Sequence, residues 1–95
     1  MKSNLSQGEI LQIFGIVLAI GRSKHYSISF DYDSEWGSME LRLWYSPTEE
    51  AFNIIGLVTD KSSSFAEIVR DLKRWTKIIV TDRGEAHDNT NRFII

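Results

Sequence analysis

The sequence predicts an α+β fold in which a helix, three antiparallel strands and a second helix follow one another, with both helices packed on one face of the sheet. Three observations predict it. Tyr26–Asp33 and the run containing Met39, Leu41, Leu43 and Tyr45 carry apolar residues at every second position, the period of a half-buried strand. Phe65, Ile68, Val69, Leu72, Trp75, Thr76 and Ile79 recur at spacings of three and four, the period of an amphipathic helix. Ile10–Ile20 is apolar nearly all the way round and is too short to cross a bilayer, so it reads as a helix that needs cover on more than one side.

The first helix is expected over residues 7–20. Ser6 with Glu9 three residues on is a capping-box pattern, and Gly21 suits the position just past a helix end. Gly15 in its interior costs about 1 kcal/mol relative to alanine, which predicts close backbone packing there. In the hairpin, a four-residue loop Ser34-Glu35-Trp36-Gly37 pairs Asp33 with Ser38. That register sets Tyr26 opposite Tyr45, Ile28 opposite Leu43, Phe30 opposite Leu41 and Tyr32 opposite Met39, so every apolar residue faces one way. Ala51–Thr59 is rich in β-formers and holds Gly56, which favours a third strand; the competing reading is a helix opened by Ser46, Pro47 and Glu49. Ser64 with Glu67 is another capping box and opens the last helix. Arg92-Phe93-Ile94-Ile95 reads as a short docking tail or strand.

Ninety-five residues with 42% hydrophobic and 25% charged side chains suit one folded domain over residues 1–95. The chain has no cysteine, which excludes disulfides, thiolate catalysis and cysteine-bound zinc, and the cytoplasm is the default compartment. Neither a signal peptide nor a membrane span is expected. Net charge is −2 but unevenly spread: residues 31–60 hold seven acids and one base, whereas residues 61–83 hold six bases and three acids. Such polarity bears on partner choice.

Four acids gather on the hairpin. Asp31 falls opposite Glu40 on the outer face with Asp33 and Glu35 near them, and like charges placed directly across a strand pair destabilise it unless Arg42 relieves them diagonally. A calcium loop is excluded, because the glycine comes one place late and Arg42 stands where a bidentate glutamate belongs. No apolar pocket surrounds the carboxylates to raise one pKa, so hydrolytic acid/base work has no support. Trp36 at the loop tip and Trp44 on the outer face are residue types that dominate binding energies. On the last helix Arg70, Lys73, Arg74 and Lys77 form a basic stripe of the kind that tracks phosphates, although the same pattern suits a solvated helix face. His25 and His87 are the only histidines and make a poor metal inventory, so no metal or other cofactor is expected.

The predicted element order, helix, three strands, helix, is similar to that of the double-stranded-RNA-binding domain family and of some small phage-encoded inhibitors, anti-CRISPR proteins among them. The lysine-rich motif at the start of the RNA-binding family's last helix would fall on residues 62–67, which hold no cation. These readings rank a non-enzymatic protein-binding module first. Its acidic hairpin face, Asp31, Asp33, Glu35, Trp36, Glu40 and Trp44, would cover a basic, nucleic-acid-handling site on a partner, as a phage-type inhibitor does. Nucleic-acid binding through the Arg70–Lys77 stripe ranks second, and enzymatic activity last. A homodimer through the first helix is the expectation if part of that helix remains uncovered.

Overall fold

The computed structural model describes residues 4–84, so His87 and the 92–95 segment lie outside it. Five elements follow in the expected order: α1 (Gln7–Ile20), β1 (Tyr26–Asp33), β2 (Ser38–Thr48), β3 (Ala51–Thr59) and α2 (Phe65–Asp82). The strands form an antiparallel sheet in the order β1-β2-β3.

Both capping boxes form. Ser6 Oγ accepts from Glu9 N at 3.1 Å while Glu9 Oε1 accepts from Ser6 N at 3.0 Å, and Ser64 and Glu67 repeat the arrangement at 3.2 and 2.9 Å. Each satisfies two backbone donors that a helix start would otherwise leave unpaired. Gly21 ends α1 at φ 71°, and its N–H donates to the Val17 carbonyl. The β1–β2 register is the one that the hydrophobic alternation demands, from Tyr26 opposite Tyr45 to Asp33 opposite Ser38. Gly37 takes φ 62° at the end of the loop.

Residues 46–48 continue β2 rather than capping a helix. The pairing slips by one residue between Tyr45 and Thr48, a bulge that accommodates Pro47, which has no N–H to give to a ladder. A second bulge lies in β3: Leu43 faces Gly56 but Trp44 faces Ile54, so Ile55 is the extra residue.

Beneath the sheet, Met39, Leu41, Leu43 and Val58 meet Ile10, Ile13, Val17 and Ile20 of α1 and Ile68, Leu72, Trp75 and Ile79 of α2 in one buried cluster. Burial of each large aliphatic side chain contributes about 1.5–3 kcal/mol, so this cluster holds both helices on the same face. The close packing expected at Gly15 is not there. A Cβ at Gly15 would meet no atom within 4 Å, because that side of α1 points away from the sheet and α2. The tight approach occurs instead at Gly56, where a Cβ would come 2.7 Å from Cζ2 of Trp75.

The C-terminal ends of the two helices are tied to each other, and that of α2 to the residue before β1. Arg83 Nη1 donates to the Ile20 carbonyl at 3.0 Å, and Asp82 accepts from His25 N at 3.0 Å and bonds His25 Nδ1 at 2.9 Å. Hydrogen bonds from the Ser23 hydroxyl and from His25 hold the Asp82 carboxyl down at about 2.

Candidate functional site

With both helices on one face, the other face of the sheet is left to carry the sequence-derived site residues. Strand alternation places Ser29, Asp31 and Asp33 of β1 on it, beside Glu40, Arg42 and Trp44 of β2. The bulge at Ile55 re-phases β3, so that Ile54 pairs with Trp44 and Leu57 with Arg42 on this same face, although the two β3 residues are an odd number of positions apart.

Asp31 and Glu40 do stand opposite each other, and Arg42 resolves their repulsion. Its Nη1 lies 2.8 Å from Asp31 Oδ2 and its Nη2 lies 2.5 Å from Glu40 Oε2, one guanidinium fork spanning two carboxylates. The three side chains together carry a single negative charge. Asp33 works locally: its Oδ1 accepts from Glu35 N at 2.9 Å and Trp36 N at 3.4 Å, which folds the loop as an Asx-type turn. An open cleft next to this cluster is lined by Asp31, Asp33, Glu40, Arg42, Thr59 and Lys61.

The two tryptophans are not brought together. Trp36 is 55% exposed at the hairpin tip. Trp44 is half-buried further down β2, where its Nε1 donates to Ser29 Oγ at 3.0 Å. At about 3.3 Å per residue, the six positions from Ser38 to Trp44 put roughly 20 Å between the loop and the Trp44 end of the sheet. Trp36, Asp33 and Glu35 therefore make a distal group, and Asp31, Glu40, Arg42 and Trp44 a central one.

Sequence reasoning missed the apolar side of this surface. Phe52, Ile54, Ile55 and Leu57 of β3 are each half or more exposed. The signal was present in the composition of Ala51–Thr59, which contains no charged residue to occupy a solvent face. The outer surface thus grades from acidic on β1, through the Arg42 bridge on β2, to apolar on β3. Four large exposed apolar side chains on one nine-residue strand exceed the scattered singles that need no explanation.

The basic stripe of α2 is exposed at Arg70, Lys73, Arg74 and Lys77. Arg74 forms an ion pair with Asp71 one turn earlier. His25 borders a cleft with Ser46, Thr48 and Glu49, and its Nδ1 is engaged by Asp82, whose carboxylate also takes hydrogen bonds from His25 N and Ser23. This linkage fastens β1 to the last turn of α2. Among the described residues no group of three His, Cys, Asp or Glu could hold a metal ion, and no helix is long and apolar enough to cross a membrane.

Fold and surface together define a small α+β domain whose outer sheet face is chemically graded and, among the described residues, uncovered. Compared with known protein families, curated proteins and solved structures, the chain matches none.

Proposed function

We propose that the protein is a non-enzymatic binding module that docks the outer face of its sheet on a partner protein. The observation that carries this reading is the row Phe52, Ile54 and Leu57 lying exposed beside Trp44 and the Asp31–Arg42–Glu40 bridge. Interface cores are depleted in charge and rimmed by polar groups, and an apolar β3 row beside Trp44, with an acidic margin on β1, has that composition on one side. The acids Asp31, Asp33, Glu35 and Glu40 outnumber the neighbouring bases Arg42 and Lys61, which suits a partner whose rim is basic. A nucleic-acid-handling protein has such a rim, and covering it would make this module an inhibitor. The margin would act through association rate and the apolar row through residence time.

The test is affinity capture with the full chain and with Leu57→Lys, followed by binding kinetics on the recovered partner. Leu57 is 57% exposed, so the substitution leaves the core intact. A partner held by the parent and lost by Leu57→Lys, with association slowed by salt, supports the reading. Equal retention by both removes it.

A second reading, phosphate binding by Arg70, Lys73, Arg74 and Lys77, has in its favour that all four cations share one exposed helix face, although Arg74 is paired with Asp71. Duplex retardation with a steep salt dependence, a log–log slope of roughly −0.9 per phosphate neutralised on B-DNA, would select it.

A further inference from the structure

Beyond the sheet face, we infer that α1 is a dimerisation helix that packs antiparallel against α1 of a second copy across a two-fold axis at Phe14–Gly15. Among the described residues the face in question is apolar and uncovered. Leu11 is 69% exposed and Leu18 66%, and Phe14 between them rests on Phe30 with ring centroids 5.0 Å apart. Leu11, Phe14, Phe30 and Tyr32 wall an open groove of almost wholly apolar lining at the N-terminal half of this face.

What selects a second copy as the occupant is that the face is complementary to itself. Leu11 and Leu18 lie the same number of positions before and after the Phe14–Gly15 midpoint, so an antiparallel partner centred there sets Leu11 opposite Leu18 of the other copy, twice. The same centring sets Phe14 opposite Gly15. Gly15 offers open space where a Cβ would stand, and Phe14 is a projecting ring already fixed on Phe30, so each copy presents one knob and one hollow. Identical patches meeting across a two-fold axis are the commonest arrangement in homo-oligomers.

Charge agrees. Residues 10–20 carry no ionisable side chain, so the seam brings no like charges together. The antiparallel arrangement also sets the positive end of each α1 dipole beside the negative end of its mate. Area sets the strength. A 14-residue helix is about 21 Å long and about 10–12 Å across, a seam smaller than the roughly 800 Å² per partner of a standard interface even with the Phe30–Tyr32 groove added. A seam of that size suits a weak, concentration-dependent dimer. It leaves the sheet faces of both copies free.

Sedimentation equilibrium of the full chain, run from low micromolar to millimolar concentration, tests this directly. The mass should rise from 11.0 kDa toward twice that value. Leu18→Glu and Gly15→Leu change only exposed positions, so both should keep the parent's circular dichroism while weakening association at least about tenfold. The double variant Leu11→Lys, Leu18→Glu places opposite charges across the seam in the antiparallel register and should associate more tightly than Leu18→Glu alone. A monomer at millimolar concentration overturns the proposal. So does a dimer indifferent to both single variants, whether or not Leu57→Lys on β3 dissolves it, and so does a double variant that recovers nothing.

Discussion

Gly56 of β3 lies directly under the indole of Trp75 in α2: a Cβ on Gly56 would sit 2.7 Å from Cζ2, 3.1 Å from Cε2 and 3.2 Å from Cβ of Leu43. Trp75 is 8% exposed and belongs to the main core cluster, so the ring has little room to retreat. Gly56 is consequently the point at which α2 and the sheet set their separation. The bulge at Ile55 precedes it, and the two features together turn Phe52, Ile54 and Leu57 outward.

Gly56→Ala should therefore destabilise the protein by about 1–3 kcal/mol, the usual cost of an overpacked core, measured as a lower urea midpoint. In a Trp75→Leu background the same change should cost less, because the two residues are in contact and their effects are not additive. Equal costs in both backgrounds would mean that the indole does not limit the site.

Gly15→Ala should do the opposite. The position is helical and a Cβ there meets nothing, so removing a glycine from the helix interior should raise stability by about 0.5–1 kcal/mol in dilute solution. Two glycines that look alike in the sequence should thus respond with opposite signs in the same thermal or denaturant assay.

Arg42→Met should lower stability by some tenths of a kcal/mol, up to about 1, with the larger loss at low salt. It removes the guanidinium between Asp31 and Glu40 and leaves two opposed carboxylates. Adding Glu40→Gln to that variant should recover part of the loss. A denaturation series at two ionic strengths reads both effects.

Acid should expose the Asp82 linkage. Its carboxyl is held down at about 2 against an ordinary 3.8, by hydrogen bonds from Ser23 and His25. A folded-state value below the unfolded one means that this contribution is fully present above about pH 4 and is lost as pH falls toward 2. Asp82→Asn should be less stable than the parent near neutrality, and the difference should shrink below pH 4. A parent and variant whose stabilities fall in parallel between pH 5 and pH 2 would remove Asp82 from the acid transition.

Short-range pattern was enough to specify the helix starts and the hairpin. Ser6 with Glu9 and Ser64 with Glu67 located both helix starts, because a capping box is closed within four residues. Alternation on either side of a four-residue loop determined the hairpin register, since a slip of one residue would have turned Phe30 and Leu41 away from the core. It also placed Asp31, Glu40 and Arg42 on one face. Other features follow from contacts between elements. Ala51–Thr59 read ambiguously because the bulge at Ile55 breaks the two-residue period, and a bulge is defined by the partner strand, not by the strand's own sequence. The exposed β3 row, the half-buried Trp44 and the bare flank of α1 all depend on where the two helices lie on the sheet. Their position rests on contacts between residues far apart in the chain, such as Gly56 with Trp75, and His25 with Asp82 across 57 positions, which no local period encodes.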